Sequence, residues 1–381
     1  MINEKLPQVD MSRAVSNTGN RTRIKNVMKR AAMGEKITVG FLGGSITQGS
    51  VASHPDKCYA HKVYEWFAET FPKADVKYIN AGIGATDSQL GCARADSDLL
   101  VYDPDMCFVE FSVNDASDEH YHETYEGLVR KIISSDPSRA LMLIHNVKYD
   151  DGGNAQLQHS KLARRYDIPA VSMRDVIYPE LESGRLENRV ITPDDLHPND
   201  VGHSLVASII ISVLEDIREH MNEEEPPEKE IPEPETLNAY EDSVRYRNDN
   251  CSGILTDCKG FERDPLPQEV ITDIFRKGWT ATEKGSYITF KVHGSGIGVQ
   301  YRKTIQKPAP SATLILDGDT SRPVILDADF KETWGDKLFL ETVLEHGENK
   351  EHTLRIELTD THPDDALPFY LVSVIASGRN L

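Results

Sequence analysis

The chain has 381 residues, 39% of them hydrophobic and 27% charged, a composition ordinary for a soluble globular protein and a length that favours two domains. Asp and Glu (62) outnumber Lys and Arg (42), which leaves a formal charge of −20. So acidic a surface repels phosphate backbones and anionic headgroups, and this sets aside nucleic acid and membrane as partners.

Through the first 221 residues short apolar strands alternate with amphipathic helices. Ile37 to Leu42 (ITVGFL) predicts a buried strand, and Tyr59 to Phe71 a helix with Val63, Trp66, Phe67 and Phe71 on one face. The pattern repeats with a strand at Val76 to Ile79 and a helix at Ser88 to Leu100, then a strand at Met106 to Phe111 and a helix at Tyr121 to Ile133. Ala140 to Ile144 and Pro169 to Ser172 read as two more strands with a helix over Ala155 to Tyr166 between them, and Asn199 to Met221 as a long closing helix. Such alternation implies an α/β domain, a parallel sheet with helices on both faces.

The stretch NEEEPPEKEIPEPET, residues 222–236, holds seven Glu and four Pro and cannot build a core. It reads as a linker, either a spacer after the long helix or a tether packed on the surface. Beyond it the period changes to two: Tyr287 to Val292, Gly296 to Tyr301, Ala312 to Leu316, Leu338 to Leu344, His352 to Leu358 and Phe369 to Ala376 alternate between turn signals. Residues 237–381 are therefore expected to form an all-β, antiparallel sandwich of the jelly-roll kind. The glycine-rich run Gly294 to Gly298 joins two of these strands and opens no helix, so it reads as a turn and not a phosphate cradle.

Four polar segments stand next to the predicted strands and the closing helix of the first region. Gly43-Gly44-Ser45-Ile46-Thr47 follows the first strand, Gly82-Ile83-Gly84-Ala85-Thr86 the second and Ser112-Val113-Asn114-Asp115 the third; Asp194-Asp195-Leu196-His197 precedes the last helix. In an open parallel sheet the C-terminal strand ends share one edge, where ligands bind. A serine there needs a base to become a nucleophile, and His197 is the candidate. Asp194 can fix the imidazole tautomer from three residues upstream; Asp195 is its rival, with a less favourable spacing. The amides of Ser45 and Gly84 and the side chain of Asn114 can donate to a developing oxyanion. This is the equipment of acyl transfer.

GGSIT, NAGIGAT, SVND and DDLH, in that order, resemble the four blocks of the SGNH (GDSL-type) hydrolases over about residues 35 to 220. The resemblance implies a flavodoxin-like three-layer sandwich, no metal and no organic cofactor. It also implies Ser45 as nucleophile, Gly84 and Asn114 as the rest of the oxyanion hole, and Asp194 and His197 as the remainder of a triad. Two positions depart from the family pattern: Gly44 stands where an aspartate is usual, and Ser112 where a glycine is usual. The first departure is frequent among carbohydrate-active members. The order of domains resembles bacterial carbohydrate acetylesterases of carbohydrate esterase family 17, which act on acetylated mannan oligosaccharides, with a C-terminal module like a carbohydrate-binding module. Trp334, in the polar stretch DADFKETWGDK, is the aromatic placed to stack on a sugar.

The expected function is removal of acetyl groups from plant-derived oligosaccharides, β-mannan before xylan. Alternatives are an esterase for lipid, thioester or sialic-acid acyl groups and a non-catalytic sugar-binding protein on the same scaffold; a homo-oligomer is left open. His120, His122, His145 and His203 show no metal-ligand spacing. The cysteines, Cys58, Cys92, Cys107, Cys251 and Cys258, are odd in number and without a CxxC pair, so reduced thiols are expected, although Cys251 and Cys258 could bridge. The polar start MINEKLPQVDMSR has no leader-like apolar core, and Leu205 to Leu214 is too short to span a bilayer, so the expected compartment is the cytoplasm.

Overall fold

Residues 6–379 are described by the computed structural model; the first five residues of the polar N-terminal stretch lie outside the described residues. The elements of the first unit, Met1–Leu237, are β1 (Val15–Asn17), α1 (Thr22–Ala32), β2 (Lys36–Gly43), α2 (Ser45–Gln48), α3 (Tyr59–Thr70), β3 (Asp75–Gly82), α4 (Ser88–Asp98), β4 (Met106–Glu110), α5 (Glu119–Ser135), β5 (Ala140–His145), α6 (Gln156–Arg165), β6 (Ala170–Ser172), α7 (Met173–Glu182), α8 (Asn188–Ile191) and α9 (Asp200–Glu219).

The strands order as β1-β6-β5-β4-β2-β3. All neighbours from β6 to β3 are parallel, which makes β3-β2-β4-β5-β6 a flavodoxin-like sheet whose switch point lies at β2. One face is covered by α1, α3, α7 and α9, the other by α4, α5 and α6, giving three layers. The apolar runs of β2, β4 and β5 are buried along nearly their whole length, as a strand sandwiched between helices must be. Helix starts are set by side-chain caps: Asp87 accepts from the amide of Leu90, Asp118 from Tyr121 and Asn199 from Gly202.

Two features depart from the sequence reading. The sheet is mixed, because β1 pairs antiparallel with β6 at the edge; a three-residue strand is too short to show a period. The helices α1 and α7 are additional. The first buries Ile24, Val27, Met28 and Ala31 at helical spacing beneath a basic surface, and the second continues through Pro179.

The acidic, proline-rich segment belongs to the first unit and is strapped onto it. Lys25 pairs with Glu225 at 2.5 Å and Arg23 with Glu228 at 2.7 Å, while Arg130 donates to the carbonyl of Pro232 at 2.7 Å. At its end the buried carboxylate of Glu126 accepts the amides of Glu235 (2.7 Å) and Thr236 (2.8 Å). Of the two forms the composition allowed, the packed tether is the one present.

The second unit, Asn238–Leu381, consists of β7 (Val244–Tyr246), β8 (Leu255–Lys259), β9 (Glu262–Arg263), β10 (Trp279–Ala281), β11 (Tyr287–Gly294), β12 (Gly296–Lys303), β13 (Ser311–Leu316), β14 (Val324–Asp327), β15 (Lys337–Leu344), β16 (Lys350–Asp360) and β17 (Phe369–Ser377). They form two antiparallel sheets, β15-β12-β17-β10-β9 with β7 also on β17, and β14-β13-β16-β11-β8. The inner faces share one core, in which Phe290, Ile356 and Leu354 of one sheet meet Val299, Tyr301 and Leu371 of the other. Trp279 is fully buried there.

All five cysteines are free, four of them buried, so Cys251 and Cys258 do not bridge. Among the described residues no helix is long and apolar enough to cross a membrane, and no group of three or more His, Cys, Asp or Glu is arranged to hold a metal ion.

Burial alone would raise the pKa of Glu126, but the amides of Glu235 and Thr236 and the hydroxyls of Thr236 and Tyr166 outweigh it and hold the carboxyl below its ordinary value. Its stabilising contribution is therefore full above the unfolded-state Glu value and is lost as pH falls through the folded-state value. Glu126→Ala strands buried donors at a cost of about 1–3 kcal/mol. It is expected to speed limited proteolysis within residues 222–236 at neutral pH, and the difference from wild type should shrink on acidification. Equal digestion rates at neutral pH would show that Glu126 does not hold the strap.

Candidate active site

Three of the four polar segments leave the sheet at one level. Gly43 pairs with Gly82 on one side and with Glu110 on the other, so the loops after β2, β3 and β4 start from a single row. Because the strand order turns at β2, the loops after its two neighbours flank the one that carries Ser45. The single-turn helix α2 sits directly on the end of β3. A Cβ on Gly82 would lie 2.1 Å from the amide nitrogen of Gln48, so only glycine permits this approach.

Ser45 opens α2 and is 8% exposed. Its Oγ is 2.9 Å from Nε2 of His197, and Nδ1 of His197 is 2.7 Å from Oδ2 of Asp194. Asp194 also accepts the amide of His197 at 2.7 Å and that of Leu196 at 3.0 Å through Oδ1. Burial works to raise the Asp194 pKa, but the hydrogen bonds from the His197 ring and from the two amides prevail and hold it below the ordinary carboxylate value. An ionised Asp194 keeps the proton of His197 on Nδ1 and leaves Nε2 to accept from Ser45. Asp195, the rival, is directed elsewhere: in left-handed backbone (φ 66°), its carboxylate takes Arg189 at 2.6 and 2.8 Å and Asn188 at 2.9 Å.

The loop after β4 is held from below. Glu110, with no exposure, accepts the amide and the hydroxyl of Ser112 at 3.2 Å each. Burial pushes its carboxyl up to about 7 against the hydrogen bonds of Ser112 and Asn146. The same hydroxyl lies 3.1 Å from the carbonyl of Asn146, so its one proton is shared between two acceptors, a contact that the usual glycine could not make. Asp115 accepts the amide of Ser88 at 2.9 Å and lies 3.1 Å from Nε2 of His159, which binds the loop to α4 and α6. The half-buried Asn114 lies against Gly44. A Cβ on Gly44 would come within 2.4 Å of its Oδ1, so the aspartate usual at that position has no room while Asn114 keeps this place.

On the loop after β3 the amide of Gly84 donates to Oε1 of Gln48 at 2.6 Å. The next residue, Ala85, is in left-handed backbone (φ 56°), and among the described residues no acceptor is found for its amide. Among the described residues the amide of Ser45 likewise has no acceptor. The loop thus offers a donor already engaged, Gly84, beside one that is not. Gln48 and Ala85 escaped the sequence reading because neither the side chain that reaches across the loop nor a positive φ at a non-glycine has a sequence signal. Glu110 looked like one more residue of an apolar strand.

Trp334 belongs to the second unit. It is 58% exposed and meets Phe330 edge-on with ring centroids 5.0 Å apart, so it is not part of the sandwich core. His145 and His203 are buried; His203 stacks on Tyr59 and faces its amide at 3.3 Å through Nδ1, and His145 meets the Ser16 hydroxyl at 3.3 Å. They are packing residues.

Two expected outcomes follow from this geometry. Asp194→Asn preserves shape but no longer holds the imidazole proton in place, and kcat on p-nitrophenyl acetate should fall roughly 10⁴-fold; retention of more than a tenth of wild-type kcat would dissociate Asp194 from the chemistry. Gly44→Ala should displace Asn114 and lower kcat on the order of 10²-fold with little change in KM, and a folded variant with wild-type kcat would contradict the contact.

The GDSL-like Lipase/Acylhydrolase family matches residues 41–205. Among solved structures, a two-domain esterase (CEX) active on acetylated mannans is 54% identical, with alignment over 97% of this chain and 99% of that chain and a TM-score of 0.93. Its form co-crystallized with mannopentaose gives 54% identity, coverage of 97% and 98%, and a TM-score of 0.92. No curated protein sequence matches the chain.

Proposed function

We propose, on the premise that the chain belongs to the GDSL-like lipase/acylhydrolase family, that it is a serine esterase that removes O-acetyl groups from mannan oligosaccharides. The observation that carries the reading is the continuous hydrogen-bonded path from Ser45 through His197 to Asp194. The substrate class is supported by similarity along both units to the esterase active on acetylated mannans.

In this reading Ser45 Oγ attacks the acetyl carbonyl as its proton passes to Nε2 of His197. The negative charge on the former carbonyl oxygen is met by the amide of Ser45, the side-chain amide of Asn114 and the loop at Gly84, where the oxyanion takes the place of the Gln48 carboxamide. As the bond from the carbonyl carbon to the sugar oxygen breaks, His197 protonates that oxygen, and the sugar leaves as the free hydroxyl. A water, deprotonated by His197, attacks the acetyl-enzyme, and collapse of the second tetrahedral species returns the proton to Ser45 and releases acetate. No step requires a cofactor. The exposed ring of Trp334 is assigned to stacking on a sugar face, with the second unit acting as a carbohydrate-binding module. The five free thiols accord with a reducing, cytoplasmic location.

The test is mass spectrometry of acetylated mannan and xylan oligosaccharides before and after incubation. Successive losses of one acetyl mass, faster from mannan, are expected, together with preference for acetyl over octanoyl esters. Ser45→Ala should lower turnover at least about 10³-fold while leaving the melting temperature near wild type. Unchanged masses with the wild-type protein would refute the reading.

A further inference from the structure

Arg94 is among the largest side chains of the protein with no exposure, and it is charged. It projects from α4 to the undersides of two of the loops described above. Nη1 donates to the carbonyl of Ala81 in β3 at 2.7 Å, and Nη2 to the carbonyl of Gly43 in β2 at 2.9 Å. Asp98, 4% exposed and one turn along α4, stands 3.4 Å from Nη1 as counter-ion. The Gly43 carbonyl also accepts the amide of Ile83 at 3.0 Å. One oxygen thus joins the end of the nucleophile strand, the start of the oxyanion loop and the guanidinium.

A buried cation is costly, and where only space must be filled an apolar side chain serves as well or better. Burial works against the charge of Arg94, with Asp98 the chief group that restores it. What a guanidinium offers and an apolar chain does not is a rigid planar fork, which fixes the spacing of two acceptors. Here the acceptors stand two residues before Ser45 and three before Gly84. A shift in their separation changes the distance between nucleophile and oxyanion donors directly.

We propose that Arg94 is a positioning residue for the acyl-transfer reaction: its fork on the Gly43 and Ala81 carbonyls sets the distance between Ser45 and the oxyanion loop. This rests on the esterase reading above. Arg94 does not touch the reacting atoms; it acts through the strand ends, so its loss acts on the transition state and not on sugar binding.

The experiment compares full-length wild type, Arg94→Lys and Arg94→Gln, with Ser45→Ala as the inactive control, on p-nitrophenyl acetate and on acetylated mannan oligosaccharides. Thermal melting reports the fold. Neither lysine nor glutamine can present two donors in the arginine geometry. The expected result is a kcat lowered about 10–100-fold on both substrates, as for a misplacement near 1 Å, with KM within about twofold and the pH profile of kcat/KM unmoved in position. The proposal is overturned by a folded variant with kcat within about twofold of wild type, or by a loss that appears in KM. It is overturned as well if both variants fail to fold, since the fork then serves the fold alone. Absence of ester hydrolysis by the wild type would sink the esterase reading first, and is separate from any effect of Arg94.

Discussion

The catalytic half of the molecule hangs on one row of parallel pairing, Gly43 between Gly82 and Glu110. Parallel register moves every residue of a strand together, so a one-residue slip would lift one loop by about 3.3 Å and turn its side chains to the opposite face. Held in register, three loops rise from one level, and the turn of strand order at β2 spreads two of them to either side of the third. His197 arrives from the far end of the unit, on the loop that α9 closes. Four segments between residues 43 and 197 thereby share a site without any of them being long.

What holds this row is polar, and it is buried. Glu110, Asp115, His159 and Arg94 are all 7% exposed or less. None is an economical way to stabilise a fold, because each group loses hydration that its partners only partly replace. Their partners explain them. Glu110 takes the amide and hydroxyl of Ser112, Asp115 the amide of Ser88, and Arg94 two strand-end carbonyls. Each fixes backbone beside a group of the site, where an error of a few tenths of an ångström is felt, and apolar contacts fix position less sharply than directed hydrogen bonds.

The main architecture and the meeting of the polar segments at one sheet edge were legible from residues 37 to 221, because two strong signals coincide there. Apolar runs bounded by turns mark the strands, and the polar motifs fall at their C-terminal ends, where the doubly wound topology must bring them together. In the structure His197 lies within hydrogen-bond reach of Ser45 through one ring nitrogen and of Asp194 through the other. The short elements were not legible. β1 has three residues, and β9 two, too few for any period. The strap at 222–236 was visible as a composition break, but its basic partners Arg23, Lys25 and Arg130 are spread over a hundred residues and reveal their common face only once folded. Gln48, Ala85 and Arg94 fall in the same class. Their roles come from what they reach, and reach is a property of the fold.

The two departures from the family pattern, Gly44 and Ser112, both lie beside Asn114 or on its loop. A Cβ at position 44 would come within 2.4 Å of the Asn114 side chain, so any other residue there requires that side chain to shift. With no side chain at 44, Asn114 packs directly against the backbone that leads into Ser45, and its loop is tied from below. Ser112 supplies that tie, its hydroxyl reaching the Asn146 carbonyl and the Glu110 carboxyl where the usual glycine has nothing to offer. The two positions, 68 apart in the chain, bear on the same loop. One opens the space into which Asn114 settles, and the other fixes the loop that carries it.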